Sequence, residues 1–467
     1  MYDQNTICAV ATAPGMGAIA TIRLSGSDAI GITDRLFKSP KDGKTLRSQP
    51  ANTLHFGQII DQSELVDEVV IALFRAPHSF TGEDVIEISC HGSSYIQQRI
   101  LMLLIKEGAR MARPGEYTQR AFLNGKMDLS QAEAVADLIA SQSASAHALA
   151  MKQMKGGISN ELKLLRNDLL SFISLIELEL DFSEEDVEFA NRDSLLQLVH
   201  NINHLINSLV DSFQYGNAIK NGIPVAIIGA ANVGKSTLLN FLLREERAIV
   251  SEIAGTTRDT IEDTINLGGI TFRFIDTAGL RNTKDTIESI GVERAYTKIS
   301  QARIILLIVD AQITIDEVLL SVEEVRTKLT DDQRLIILLN KEDKTDKEHL
   351  NQILSTLKKN YPSIFALTIS AKGGHNIDQL TNTLINIGLH GQPETDEVII
   401  TNVRHYESLL KIKENLEESI AGLKSNLSSD LLAIDIRQAI HYMGEITGEI
   451  TTDDILGHIF SKFCIGK

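Results

Sequence analysis

The chain has 467 residues, a length that predicts two to four domains at roughly 100–200 residues per domain. Hydrophobic residues make up 43% and charged residues 23%, as in globular proteins, which excludes wholesale disorder. The formal net charge is −17 at pH 7, whereas surfaces that coat nucleic acid are normally basic. Any contact with RNA would therefore need a local patch or a partner protein.

The three cysteines, Cys8, Cys90 and Cys464, are far apart and form no CxxC pair, so the sequence favours neither a zinc site nor a disulfide scaffold. No Lys or Arg precedes Arg23, which is unlike a signal or transit peptide. No apolar run approaches the ~20 residues of a membrane helix. We predict a cytoplasmic protein that has no contact with a membrane.

The segment 1–122 mixes short strands with one helix and is predicted to form an α+β domain. β-branched runs predict strands at 19–24, 66–74 and 85–89. Helical spacing covers 93–106 and ends before Gly108.

The segments 123–218 and 387–467 are helical in pattern and are predicted to form one discontinuous helical domain. An apolar helix face in the first of them consists of Leu162, Leu165, Leu169, Phe172 and Ile176. The second segment is short for a core of its own, so we expect it to pack against the first. The acidic stretch 184–186 is interpreted as a solvated turn.

The inserted segment 219–386 alternates strands with helices, as in a doubly wound α/β domain. Strands are predicted at 225–228, 271–275, 304–309, 335–339 and 365–369. The runs that begin at 225, 304 and 335 are apolar without alternation, as expected for strands buried on both faces. The fold class is therefore multidomain α/β.

A P-loop, Gly229-Ala-Ala-Asn-Val-Gly234-Lys235-Ser236, follows the first of these strands and precedes a helix. Its backbone N–H groups can cradle phosphates, Lys235 can reach the β- and γ-phosphates, and the Ser236 hydroxyl can bind Mg²⁺. The strand-loop-helix context separates this match from a chance one. The residues expected at the nucleotide from this run are Asn232, Val233, Gly234, Lys235, Ser236 and Thr237.

Three further runs end predicted strands and together specify a GTP-binding G domain of Ras-like type. Asp276-Thr277-Ala278-Gly279 can hold Mg²⁺ through water. In Asn340-Lys341-Glu-Asp343, the carboxylate of Asp343 can accept hydrogen bonds from the N1–H and 2-amino groups of guanine. Ser370-Ala371-Lys372 can support recognition of the base. Ligands of such sheets bind at the carboxyl ends of the strands.

The residues between these motifs bear on hydrolysis. Leu280 follows Gly279 and cannot orient water, so another group must do so. Gly255-Thr-Thr-Arg-Asp lies where a switch threonine belongs, and Thr257 is the candidate second Mg²⁺ ligand. Arg258 is either an arginine finger or a salt-bridge partner within the switch, and we favour the second.

The whole chain resembles the MnmE family of tRNA modification GTPases, also called TrmE. The resemblance within the G domain rests on Asn232, the run 255–259 and the run 276–281. Outside the G domain, the matching runs are 17–26, 81–87, 113–116, 121–129, 445–449 and Phe463-Cys-Ile-Gly-Lys467. These outer runs distinguish this family from other GTPases.

The resemblance implies a potassium-dependent GTPase in which K⁺ takes the place of an arginine finger. Its ligands would be the side chains of Asn232 and Thr256 and the backbone carbonyls of Ser251 and Ile253. It also implies that Glu288 orients the attacking water, although from the residues alone Glu288 would be an ordinary surface glutamate.

The resemblance further implies that the N-terminal domain binds folate and forms a homodimer. The contacts with 5,10-methylenetetrahydrofolate or 5-formyltetrahydrofolate would be made by Arg23, Glu87, Lys126 and Lys467. A glutamate can accept hydrogen bonds from pterin N–H groups, and cations can hold the glutamyl tail. Arg23 lies in an apolar strand, where a charge is costly unless it is paired or at an edge. Cys464 is either a reactive thiol or a packed one.

The function implied is addition of a carboxymethylaminomethyl or aminomethyl group at C5 of the wobble uridine of certain tRNAs. A FAD-dependent partner of the MnmG/GidA type would act with the chain in a heterotetramer or larger complex, and GTP hydrolysis would drive conformational cycling of the G domain. Two alternatives are a GTP-switched ribosome-assembly factor, which would not explain the folate pattern, and a nucleotide-dependent scaffold.

Overall fold

The structure is a computed structural model that describes residues 5–181, 192–247, 263–275, 299–330, 333–389, 398–425 and 427–466. The chain divides into two compact units. The first comprises Met1–Ile139, Met151–His204 and Glu407–Lys467, and the second comprises Ala140–Ala150 and Leu205–Tyr406. This division into two units does not test the four predicted domain ranges, which stay a prediction. Among the described helices, none is both long and apolar enough to span a membrane.

The first unit contains a seven-stranded sheet with the strand order β3-β4-β5-β6-β2-β1-β7. All neighbouring strands are antiparallel except β1 and β7. Two helices accompany the sheet, α1 (Ala29–Leu36) and α2 (Ser94–Lys106). The strands are β1 (Ile7–Val10), β2 (Ile19–Ser25), β3 (Phe37–Lys38), β4 (Thr53–Asp61), β5 (Glu64–Phe74), β6 (Val85–His91) and β7 (Arg110–Met111).

Over β4 and β5 one face of this sheet is buried and the other is open, because successive side chains of a strand point to opposite faces, whereas at β1 the second face is covered by Ala112 and Tyr117. In β5, Val69, Ile71 and Leu73 are buried in a core with residues of α1 and α2. The intervening Val70 is 38% exposed. The strands at 19–24, 66–74 and 85–89 and the helix at 93–106 are confirmed with slightly different ends. The strands β1, β3, β4 and β7 were not predicted, and the expectation of one helix was wrong because α1 precedes α2.

Helices dominate the next part of the chain, as predicted. The described helices here are α3 (Glu116–Leu123), α4 (Leu129–Ala140), α5 (Ala144–Met154), α6 (Gly157–Asp181) and α7 (Arg192–Asn221). Asp128 caps α4, because its carboxylate accepts from the Gln131 N–H at 3.0 Å while the Gln131 amide oxygen accepts from the Asp128 N–H at 2.9 Å. The acidic turn predicted at 184–186 lies outside the described residues.

The second unit contains a six-stranded sheet with the strand order β13-β12-β11-β8-β10-β9. All neighbours are parallel except β9 and β10. The strands are β8 (Ile223–Ile228), β9 (Asp263–Leu267), β10 (Ile270–Phe274), β11 (Ile304–Asp310), β12 (Arg334–Asn340) and β13 (Phe365–Ile369). The helices are α8 (Lys235–Arg247), α9 (Ile315–Arg326), α10 (Lys347–Asn360) and α11 (Ile377–Leu389).

Helices cover both faces of this sheet, which confirms the doubly wound prediction. Alternate residues of β11 join two separate cores: Leu306 packs with residues of α8 and α11, whereas Leu307 packs with residues of α9 and α10. The chain leaves β8 and β11 for opposite sides of the sheet, so the carboxyl ends of these two strands form a topological switch point. Ligands of open α/β sheets bind at this point.

The C-terminal part contains three helices, α12 (Val403–Lys424), α13 (Ser429–Thr447) and α14 (Asp453–Ser461). Helix α13 packs along α6. Leu456 and Phe460 of α14 join a core with Leu129 and Ala132 of α4. The expectation that the C-terminal segment packs against the earlier helices is therefore confirmed for these elements.

Candidate nucleotide and folate sites

The P-loop joins the carboxyl end of β8 to the start of α8, at the switch point of the second sheet. Gly229 has φ +145°, and a Cβ at this position would collide with the carbonyl oxygen of Ile308. Gly234 has φ +106°, and a Cβ there would collide with the side-chain amide of Asn340. Both positions therefore require glycine, for conformation and for space.

Lys235 is the first residue of α8, and its ammonium group lies inside the loop. The Nζ atom donates to the carbonyl oxygens of Gly229 at 2.8 Å and Ala230 at 2.6 Å. Ser236 and Thr237 follow in the first turn, where the helix N-terminus carries partial positive charge. Asn232 is exposed, has φ +61° and precedes the buried Val233. The arrangement is that of an anion-binding nest.

Asn340 joins the P-loop to the run 370–372. It is 4% exposed; its Nδ2 donates to the Val233 carbonyl oxygen at 2.6 Å, and its Oδ1 accepts from the Ala371 N–H at 2.9 Å. Two of the predicted motifs and the P-loop thus meet at one buried amide.

Asp343 and Ser370 are also brought together. Ser370 Oγ donates to Asp343 Oδ1 at 2.8 Å, and this hydrogen bond is the main reason that the pKa of Asp343 lies below its usual range. Asp343 is therefore an ionised acceptor at neutral pH. Lys341 Nζ is 2.6 Å from Asp310 Oδ2, and Lys372 is exposed next to Ala371.

Several predicted site residues lie outside the described residues. They are Ser251, Ile253, Gly255, Thr256, Thr257, Asp276, Thr277, Ala278, Gly279, Glu288 and Lys467. Arg258 and Leu280 lie outside them as well.

Arg23 and Glu87 are opposite each other on β2 and β6 of the first unit. Glu87 Oε1 lies 2.7 Å from Arg23 Nη2 and accepts from Arg23 Nε at 2.9 Å. The two side chains are 24% and 29% exposed, so the ion pair is within reach of solvent. The charge of Arg23 in its apolar strand is thus paired with Glu87, which avoids the free-energy cost of an unpaired charge.

Tyr117 contacts both the backbone and the guanidinium group of Arg23. Its hydroxyl donates to the Arg23 carbonyl oxygen at 2.7 Å, and the guanidinium carbon lies 5.7 Å from the centre of its ring. Burial raises the pKa of Tyr117, so the hydroxyl stays protonated as a donor. Sequence reasoning missed this residue, because one tyrosine in a helical run gives no sign of a partner 94 residues away.

The C-terminal residues lie beside this ion pair. Arg23 Nη1 donates to the Gly466 carbonyl oxygen at 3.4 Å. Gly466 has φ +97°, and a Cβ there would collide with the Val10 carbonyl oxygen, so the close approach requires glycine. Cys464 is exposed, and its carbonyl oxygen accepts from the Gly115 N–H at 3.4 Å.

Lys126 is placed differently from the other predicted folate contacts. Its Nζ donates to the Pro77 carbonyl oxygen at 2.9 Å. Among the residues that the structure describes, Lys126 makes no hydrogen bond or ion pair with Arg23 or Glu87.

A buried charge network lies near the start of α3. Burial opposes the ionisation of Glu116, but hydrogen bonds from Arg110, the Arg113 N–H and Arg120 outweigh it and lower the pKa of Glu116 to about 2. Arg120 is 2% exposed and also pairs with Glu83 at 3.0 Å. This network explains structurally why the run 113–116 ends in glutamate.

The comparisons with known proteins cover the whole chain. The family model of the MnmE helical domain matches residues 129–464, and the model of the GTP-binding protein TrmE N-terminus matches residues 6–126. The tRNA modification GTPase MnmE of Bacteroides thetaiotaomicron is 56% identical over 100% of both chains, and that of Christiangramia forsetii is 53% identical over 100% of both.

Solved structures are similar over a smaller part of the chain. Aquifex aeolicus Era bound to GDP and AlF4⁻ covers 41% of this chain and 66% of its own at 27% identity, with a TM-score of 0.27. A TM-score this low carries no information on function. The full-length identities and the two family models lead to one conclusion: the chain belongs to the MnmE (TrmE) family of tRNA modification GTPases.

Proposed function

We propose that this chain is a potassium-dependent GTPase that acts with a FAD-dependent partner of the MnmG/GidA type on certain tRNAs. Together they add a carboxymethylaminomethyl or aminomethyl group at C5 of the wobble uridine, and a reduced folate supplies the one-carbon unit. The observation that carries the proposal is the 56% identity, over the full length of both chains, to a relative named tRNA modification GTPase MnmE.

The geometry of the P-loop fits GTP. The glycine-dependent nest and Lys235 hold the β- and γ-phosphates, while Asn340, Asp343 and the run 370–372 hold the guanine. Ser236 and Thr257 are the proposed Mg²⁺ ligands, and the run 276–279 is proposed to act at the γ-phosphate. Bound Mg²⁺ supplies positive charge that offsets the charge of the phosphates.

Hydrolysis is proposed to need K⁺ rather than an arginine finger. Asn232 fits this role in one respect: it is exposed at the P-loop and therefore open to an ion. The other proposed ligands are Thr256 and the carbonyl oxygens of Ser251 and Ile253. Bound K⁺ supplies positive charge close to the phosphates. Glu288 is proposed to accept a hydrogen bond from the attacking water, a task that Leu280 cannot perform.

The ion pair of Arg23 and Glu87 fits a folate. Glu87 can accept hydrogen bonds from the pterin N–H groups, because its carboxylate has lone pairs beyond those that Arg23 uses. Arg23, Lys126 and Lys467 are the proposed cations for the carboxylates of the glutamyl tail. The separate position of Lys126, at the Pro77 carbonyl, suits an extended ligand that has its two polar ends apart.

The open sheet face of the first unit supports a homodimer. It carries Leu54, Phe56 and Val70, which are 72%, 55% and 38% exposed and lie on β4 and β5. A second copy of the chain would remove this apolar area from water. The partner protein would join the homodimer in a heterotetramer or a larger complex, in the cytoplasm.

The test is the nucleoside profile of tRNA from cells that lack this protein. We expect the C5 group of the wobble uridine to be lost, restored by the wild-type protein and not restored by Glu288→Ala. Mass spectrometry of digested tRNA measures this directly. An unchanged profile, with no second copy of the protein present, would contradict the proposal and favour a role in ribosome assembly. Restoration by a hydrolysis-dead Glu288→Ala would favour the scaffold.

A further inference from the structure

Glu342 contacts a second recognition segment with both oxygens of its carboxylate. It lies between Lys341 and Asp343, and its Oε1 is 2.9 Å from His375 Nδ1. Its Oε2 accepts from Asn376 Nδ2 at 3.3 Å. The side chain is only 22% exposed, so these contacts are partly shielded from water. Glu342 therefore joins the run 340–343 to the loop that follows β13.

That loop is closed on itself. The backbone N–H of Ser370 donates to the His375 carbonyl oxygen, and the N–H of His375 donates to the Ser370 carbonyl oxygen, both at 3.2 Å. Asn376 has φ +61°, a left-handed conformation that asparagine tolerates better than most residues. Its Nδ2 also donates to the Thr368 carbonyl oxygen at 2.9 Å. The shape of the loop thus depends on the two residues that Glu342 contacts.

The same loop fixes Asp343. Ser370 Oγ donates to Asp343 Oδ1 at 2.8 Å and accepts from the Gly373 N–H at 3.2 Å. Asp343, Ser370, His375 and Glu342 are therefore linked in a closed ring of contacts that includes the proposed acceptor for the base. A carboxylate that must accept two hydrogen bonds from guanine at once needs a fixed orientation, because a rotated one satisfies only one of them.

We propose that Glu342 is a positioning residue for guanine specificity. It holds the loop 370–376 so that Ser370 keeps the Asp343 carboxylate turned toward the N1–H and 2-amino groups of the base. This inference rests on the proposed function, because it assumes that a guanine nucleotide binds at this site. It adds a residue between Lys341 and Asp343 to the determinants of specificity.

Inosine nucleotides isolate the predicted effect, since hypoxanthine retains N1–H and lacks the 2-amino group. The experiment is displacement of a fluorescent GDP analogue by GDP and by IDP from the full-length chain. In Glu342→Ala we expect the preference for GDP over IDP to fall about fivefold, as for one weakened hydrogen bond to a charged group. In Glu342→Gln, which retains an acceptor, the preference for GDP over IDP should fall less. The control Glu348→Ala, in the first turn of α10, should match the wild type.

His375→Ala provides a second test, should Glu342→Ala fail to fold. The ring of His375 is 64% exposed, and Asn376 keeps its contact in this variant, so we expect a smaller fall in the same ratio. Equal losses of GDP and IDP affinity with a lowered Tm, or an unchanged ratio in both variants, would overturn the inference and leave the proposed function standing. A wild-type chain that prefers neither GDP over IDP nor GDP over ADP would contradict the guanine site itself.

Discussion

The nucleotide site and the proposed folate site are built from the same kinds of residue in different ways. The nucleotide site consists of loops at the carboxyl ends of parallel strands, and each loop carries its chemistry in a few consecutive residues. The proposed folate site lies on two neighbouring antiparallel strands, where Arg23 and Glu87 are 64 residues apart in the chain. The sequence therefore predicts the first site from its own motifs, whereas it indicates the second site only through resemblance to a family.

The amide of Asn340 should be the most sensitive point in this comparison. Asn340→Ala leaves the Val233 carbonyl and the Ala371 N–H without a partner in a buried position. We expect the free energy of GDP binding to become less favourable by about 3 kcal/mol, which weakens GDP binding about 100-fold. Titration with a fluorescent GDP analogue measures the affinity, and folate binding should not change. A weakening below about threefold would contradict the structural account of the site.

Arg23→Ala should weaken folate binding by about 30-fold, because it removes a hydrogen bond donor to a charged acceptor and leaves Glu87 unpaired. Isothermal titration calorimetry with 5-formyltetrahydrofolate measures the change. The matched control is Arg35→Ala, since Arg35 pairs with Glu107 at 2.6 Å elsewhere in the same unit. Equal affinities in wild type and Arg23→Ala would remove Arg23 from the site.

Potassium should accelerate GTP hydrolysis about tenfold or more over sodium at equal ionic strength, because in the proposed mechanism the cation takes the place of an arginine finger. Asn232→Ala should abolish the difference between the two salts. Release of phosphate in KCl and in NaCl gives both rates. Equal rates for the wild type would contradict the potassium hypothesis while leaving GTP binding intact.

The smallest expected effect concerns His55, which is 4% exposed on the covered face of the first sheet. Burial and, to a smaller extent, the charge of Lys44 lower the pKa of His55. The neutral ring is therefore favoured in the folded state, and stability should fall as the pH drops below about 6.5, the usual pKa of histidine. His55→Gln should show a shallower fall in Tm between about pH 7 and pH 5.5. Parallel Tm curves would contradict this assignment.

The strands β8, β11 and β12 of the second sheet could be predicted from sequence because they are apolar runs buried on both faces. β9 could not: in Asp263–Leu267 only Ile265 is fully buried, as expected for an antiparallel edge strand. In the first sheet, β4 was missed because His55 and Gly57 take inward positions that usually belong to apolar residues.

The same distinction applies to side chains within the sites. Lys235 and Asp343 were predicted because each lies in a motif whose chemistry is local. The roles of Tyr117 and Glu342 were not, because Arg23 and Asn376, the partners they contact, lie 94 and 34 residues away and only the fold brings them together. Lys126 is the opposite case, because it was predicted from a family motif but contacts the Pro77 carbonyl and not the ion pair of Arg23 and Glu87.

The most direct test of the central claim is transfer of a labelled carbon in a reconstituted reaction. The purified chain would be combined with the proposed FAD-dependent partner, unmodified tRNA, an amine donor, GTP, K⁺ and 5,10-methylenetetrahydrofolate carrying ¹³C at its methylene carbon. We predict ¹³C in the C5 substituent of the wobble uridine, measured by mass spectrometry, and its loss with Arg23→Ala or with a non-hydrolysable GTP analogue. Active GTP hydrolysis without any labelled uridine would contradict the account.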